Sequence, residues 1–134
     1  MDLIRLIYTS RPFGFDQGML NGILLQARRN NAEDDITGAL ICRADLYIQL
    51  LEGPADKVAA CYARIRRDDR HVEVTLRHKG PAPHRMFAGW AMRDDPAQSW
   101  MWDREAVADG ALDLEGPEAF QAIFARLRSQ LPEV

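Results

Sequence analysis

A chain of 134 residues with 47% hydrophobic content is long enough for one domain with its own core, in a size range where roughly two thirds of the unfolded surface is buried on folding. The net charge of -3 is mild, which argues against a dedicated nucleic-acid binder and for a soluble protein. The opening Met1-Asp2-Leu3-Ile4-Arg5 has no basic region followed by an apolar core, and no apolar run reaches the length of a membrane span, so a cytoplasmic protein is expected.

Leu3 to Thr9 reads as a first strand, with Ile4, Leu6 and Tyr8 on one face and Leu3, Arg5 and Ile7 on the other. Pro12 and Gly14 break the chain, Asp16 can cap a helix, and Met19, Leu20, Ile23, Leu24 and Ala27 recur at helical spacing to about Asn30. Ile36 to Arg43 is a second strand. Ile36, Leu40 and Cys42 share one face, Ala39 and Ile41 the other, and Gly38 marks a close backbone approach. Ala44-Asp45 makes a two-residue turn into a third strand, Tyr47 to Gly53. There Tyr47, Gln49 and Leu51 point one way and Ile48 and Leu50 the other, so an amide sits in mid-strand and needs hydrogen-bond partners.

Pro54 and Asp56 open a second helix whose inward stripe is Val58, Cys61, Tyr62 and Ile65, and which runs into the charged Arg64 to Arg70. Val72 to Leu76 is a fourth strand. Met86 to Met92 is expected as a fifth, with Trp90 and Met92 on the same face. Pro96 begins a segment carrying Trp100 and Trp102, and Phe120, Ile123, Phe124 and Leu127 stripe a last helix, Glu118 to Leu131. The order βαββαββ predicts an α+β, ferredoxin-like sheet with two helices on one face. The C-terminal helices are the available cover for the second face. The expected organisation is a core over residues 1–95 with a helical extension over 96–134 packed on the same domain.

Tyr8, Asn30, Asn31 and Gln49 converge in this fold, a phenol and three amides. Cys42 and Cys61 give no disulfide framework or metal spacing and read as reduced, buried thiols, and no glycine-rich phosphate loop is present. Amides read the edges of flat rings that carry donors and acceptors. A phenol can give an electron and a proton together to a strong oxidant. The basic residues at the helix ends, Arg28, Arg29, Arg64, Arg66, Arg67 and Arg70, suit either phosphates or a solvated helix terminus. A small acyl or phosphoryl hydrolase using an Arg and an Asn, and a dimerising interaction module, are the competing readings.

Six pieces, in order, resemble the BLUF domains, which sense blue light using flavin. They are Leu6-Ile7-Tyr8-Thr9-Ser10, Arg29-Asn30-Asn31-Ala32, Ile36-Thr37-Gly38, the Tyr47–Gly53 stretch, Asp69-Arg70-His71, and Arg85 to Met92. The resemblance covers Leu3 to Arg93 and implies a blue-light photoreceptor, not an enzyme, that holds FAD noncovalently, with FMN and riboflavin as alternatives. It implies Tyr8 as electron donor, Gln49 as the switching amide, and Asn31, with Asn30 alongside, as holders of the ring edge. Arg29, Arg67, Asp69, Arg70 and His71 belong to the cofactor side by the same resemblance, and Trp90 and Met92 to signal relay. Departures are Tyr47, where phenylalanine is frequent, a slightly short spacing between Tyr8 and Asn30, and Asp34-Asp35, where glycine or a small polar residue is common. Asp35 would place an acid near the ring's approach. No cyclase or phosphodiesterase pattern follows, so a short stand-alone member is expected, forming a dimer and acting on a downstream protein partner, without membrane or nucleic-acid binding.

Overall fold

The computed structural model describes residues 3–12, 17–43, 45–68, 71–90, 92–96 and 101–130. The expected cap Asp16, the turn residue Ala44, Trp100, Asp69 and Arg70 lie outside the described residues, as do the side chains of Met19 and His71.

Strands β1 (Leu3–Pro12), β2 (Thr37–Arg43), β3 (Leu46–Pro54), β4 (His71–Pro81) and β5 (Arg93–Pro96) form one sheet in the order β4-β1-β3-β2-β5. The first four pair antiparallel, and β5 adds to the edge parallel to β2. Helices α1 (Gln17–Glu33) and α2 (Ala55–Arg66) connect β1 to β2 and β3 to β4, which is the split βαβ arrangement expected from the strand order. After β5 come α3 (Arg104–Ala108), a 3-10 turn (Ala111–Leu114) and α4 (Pro117–Ser129).

The alternation of β1, β2 and β3 sorts side chains between two cores. Leu6, Tyr8, Leu40, Tyr47 and Leu51 meet Leu20, Leu24, Val58 and Cys61 of α1 and α2. Ile7, Ala39, Ile41, Ile48 and Leu50 meet Phe120, Ile123, Phe124 and Leu127 of α4. Both faces are therefore covered, and α4 spends its apolar stripe on its own sheet. Gly38 is required where β2 pairs with β3, because a Cβ there would sit 2.0 Å from the Leu50 carbonyl oxygen.

Two expectations need correction. Met86 to Met92 is not a strand. Glu52 Oε1 takes the amides of Met86 (2.8 Å) and Phe87 (3.2 Å), so those amides leave no sheet ladder to form. Trp90 N then donates back to Phe87 O (3.2 Å), and Gly89 adopts φ 98°, which closes a turn. Trp90 and Met92 consequently part: Trp90 packs toward the α4 side, while Met92 is buried with the α1–α2 side. Strand β4 is also longer than expected. Glu73 at φ 56° and two register shifts against β1 interrupt its alternation, and Leu76 is left 45% exposed.

Candidate functional site

Tyr8 and Gln49 are direct partners in the β1–β3 register and lie on the α1–α2 side of the sheet. The Tyr8 hydroxyl donates to Gln49 Oε1. Gln49 Nε2 donates to Met92 Sδ at 3.3 Å. The amide is 4% exposed and Tyr8 fully buried, so the donor–amide–thioether chain is shielded from water. Burial is the main cause that holds the Tyr8 phenol well above its ordinary pKa, with nearby Cys61 and Tyr62 adding to it. Tyr8 keeps its proton at neutral pH and remains a donor to Gln49.

Asn31 occupies the last turn of α1 and is 1% exposed. Its backbone carbonyl accepts Ile36 N at 2.9 Å, which ties the end of α1 to the start of β2. Its Oδ1 faces the Cys61 thiol at 3.9 Å. Burial pushes that thiol's pKa up and keeps it protonated. Between α1, α2 and the sheet lies a cleft of about 110 Å³, lined by Asn30, Asn31 and Gln49, by the apolar Ile23, Ala27 and Ile65, and by Cys61, Arg64 and Asp68. Apolar walls carrying amides, an arginine and an aspartate suit a flat heterocycle with a polar edge.

Arg29 and Arg67 are exposed and do not line this cleft. Arg64 and Asp68 do, and sequence reasoning did not assign them there, although Cys61, Arg64, Ile65 and Asp68 repeat at the 3- and 4-residue spacing of one helical face. Asp35 also differs from expectation. It turns away from the cleft, and its carboxylate pairs with Arg85 Nη2 at 3.0 Å. Its φ of 57° is the left-handed conformation that glycine adopts at least cost. The acid at the cleft is Asp68.

On the opposite face a buried ion pair, also unassigned from sequence, seats the turn that leads to Met92. Arg5 Nε meets Glu52 Oε2 at 2.8 Å. Arg5 also donates to His84 O (3.1 Å) and to Gln121 Oε1 (3.3 Å) of α4. Arg128 of α4 donates to Met86 O at 3.0 Å and lies over the Trp90 ring at 5.5 Å, with Arg93 over the same ring at 5.1 Å.

Residues 3–93 match the family model described as BLUF, sensors of blue-light using FAD. The chain is 44% identical over 68 residues to the photoactivated adenylate cyclase subunit beta of Euglena gracilis, covering 51% of this chain and 8% of that protein. It is 32% identical over 100 residues to the blue light- and temperature-regulated antirepressor BluF of Escherichia coli (strain K12), covering 73% of this chain and 24% of that one. The chain thus spans a small share of the curated relatives it matches. Its fold is similar to the dark-state structure of BlrB, a BLUF protein, with a TM-score of 0.79 and 27% identity over 97% of this chain and 98% of that one. Among the described residues, no helix is long and apolar enough to cross a membrane and no group of His, Cys, Asp and Glu is arranged to hold a metal.

Proposed function

We propose a function from one premise: the chain belongs to the BLUF family, the sensors of blue-light using FAD. It is a photoreceptor that holds a flavin noncovalently in the cleft between α1 and α2. The observation that carries this reading is the buried chain from Tyr8 through Gln49 to Met92 at the edge of that cleft.

A bound flavin supplies the absorption of blue light and, once excited, a strong oxidant. Asn31 and Asn30 would hold the ring's polar edge, and Ile23, Ala27 and Ile65 would supply apolar walls beside it. The cleft is smaller than the roughly 300–1,000 Å³ of ordinary small-molecule sites, so the α1 and α2 side chains draw apart to admit the ring. Tyr8, whose hydroxyl proton lies toward Gln49 Oε1, would be the donor of the one electron and one proton that this oxidant takes up. While Tyr8 is altered, Gln49 rotates or changes tautomer, exchanging its donor and acceptor ends without moving the backbone. Return of that electron and proton from the reduced acceptor to Tyr8 would leave both as they began, with the amide in the new arrangement. Met92, which accepts from Gln49 Nε2, is released or re-engaged, and the turn carrying Trp90 passes the change to α4. No substrate is turned over.

FAD, rather than FMN or riboflavin, is the proposed cofactor. Arg64 at the cleft, with Arg29 and Arg67, is proposed for its phosphate side, and the family resemblance adds Asp69, Arg70 and His71 to that proposal. The protein is proposed to work in the cytoplasm as a dimer that acts on a protein partner, residues 1–95 sensing light and residues 96–134 forming the attached cover. No observation favours the hydrolase reading. A module that docks through the apolar stripe of α4 is disfavoured, because that stripe is buried on the sheet.

The test is absorption of the purified, flavin-loaded protein in the dark and under blue light. Wild type should be yellow and show a reversible red shift of the flavin band. Gln49→Leu should be equally yellow and show none. A wild type that retains no flavin, or a red shift that survives in Gln49→Leu, overturns the reading.

A further inference from the structure

The helix that lines the cleft also grips the methionine at the end of the hydrogen-bond chain. Ala27, Asn30 and Asn31 of α1 line the cleft. Arg28, between them in sequence, reaches out of it, and its Nε donates to the backbone carbonyl of Met92 at 2.9 Å. Met92 is thus held at two points, its Sδ by Gln49 Nε2 at 3.3 Å and its carbonyl by Arg28. Just upstream, Gly38 N holds the Trp90 carbonyl at 3.1 Å, and immediately downstream Arg93 pairs with Ala39 as β5 begins. Between those two anchors on β2, Arg28 grips the Met92 backbone from outside the sheet.

We propose that Arg28 is a positioning residue for the light response, acting through Met92: it fixes the Met92 backbone so that Sδ stays on Gln49 Nε2. The inference rests on the photoreceptor reading above. A guanidinium–carbonyl bond is charge-assisted and fixed in direction, so it selects one placement of the Met92 backbone rather than merely attracting it. When Gln49 changes its donor and acceptor ends, Met92 leaves this placement, and its return requires the Arg28 bond to re-form. Arg28 does not itself line the cleft, so its loss should leave flavin affinity unchanged.

The experiment uses the full chain with methyl-13C methionine, compared as wild type, Arg28→Ala and Arg28→Lys, each flavin-free and flavin-loaded. The Met92 methyl signal is assigned with Met92→Leu. In Arg28→Ala the Met92 methyl should move toward the position of a free methionine in both forms. Dark recovery after blue light should slow by about tenfold, the size of one such bond re-formed on the return path. Arg28→Lys, which keeps a cationic donor but not the fixed fork, should restore only part of both readouts. The proposal is overturned if Arg28→Ala leaves the Met92 methyl and the recovery as in wild type. It is equally overturned if recovery slows while the Met92 methyl stays where it is in wild type, since Arg28 would then act by another route. A wild type without any light response sinks the photoreceptor reading instead, and the flavin-free methyl signal still decides whether Arg28 holds Met92.

Discussion

Glu52→Gln changes the charge of one buried side chain while keeping its size. Glu52 is fully buried and its Arg5 partner is 8% exposed, so neither charge is relieved by water. The carboxylate serves two sides at once: Oε2 receives Arg5 Nε, and Oε1 receives the amides of Met86 and Phe87. A primary amide has one acceptor end. With its oxygen toward the two backbone amides, its NH2 faces the guanidinium and the Arg5 charge is left unneutralised. Removing one partner of a buried pair costs about 3–5 kcal/mol. Arg5 keeps the His84 carbonyl and Gln121, which places the expected loss at the lower end, about 3 kcal/mol. Against a total stability of about 5–15 kcal/mol, that is a large fraction. Urea unfolding followed by far-ultraviolet circular dichroism should show the midpoint falling by about 1–3 M with an unchanged slope. Arg5→Met added to Glu52→Gln should then cost much less than Arg5→Met alone, because the two residues share one interaction. A loss below about 1 kcal/mol, or strict additivity, would refute the claim that this ion pair seats the turn.

Asn31→Ala removes a buried amide at the cleft and should weaken flavin binding by about 5- to 150-fold, read by fluorescence titration, from roughly 1–3 kcal/mol of lost pairing. Tyr8→Phe should stay yellow but light-silent in the difference spectrum. The same variant tests the raised phenol pKa. A raised folded-state pKa contributes stability that is complete below the unfolded value of about 10 and is lost as pH rises toward the folded one. Wild type should therefore lose stability above about pH 10, and Tyr8→Phe should lose measurably less across the same range. Truncation after Asp95 uncovers the sheet face of Ile7, Ala39, Ile41, Ile48 and Leu50. At about 1.5–3 kcal/mol for each lost side chain of α4, the product should aggregate by light scattering, and a monodisperse product with an unchanged melting temperature would show that α4 is dispensable.

The sheet was legible wherever alternation ran unbroken. Tyr8 and Gln49 fall on one face by counting residues along β1 and β3, and the antiparallel pairing makes them neighbours. The stripe of Phe120, Ile123, Phe124 and Leu127 likewise announces which face of α4 is covered. Counting failed where a side chain or a backbone kink replaces the ladder. Met86 and Phe87 look like strand residues, but the acceptor that claims their amides is a carboxylate far away in sequence. Glu73, at positive φ, shifts the phase of β4 between Val72 and Val74, in a stretch that reads as regular. Arg5 and Glu52 look like ordinary surface charges in alternating strands, and the turn at Met86 and Phe87 together with α4 covers them. At the cleft, the amides were legible by their chemistry. Arg64 and Asp68 were obscured because they sit in a run of charges where each residue alone resembles a solvated helix end.

The contact from Gln49 to Met92 limits what this molecule can report. It is one amide-to-thioether bond of 3.3 Å, and sulfur is a weak acceptor, so it is worth about 1 kcal/mol at most. As an equilibrium bias that is only about fivefold, whereas carrying a two-state element from 1:99 to 99:1 takes about 5.5 kcal/mol. A listener attached to this bond alone would hear a change in proportion, with a narrow dynamic range. A wider range needs several contacts to give way together, and the chain gathers them here: the Trp90 carbonyl on Gly38, the Met92 carbonyl on Arg28, and the Trp90 ring under Arg93 and Arg128. The gain of the receptor is then set by how many of these move as one, and only weakly by the strength of the bond at which the change begins.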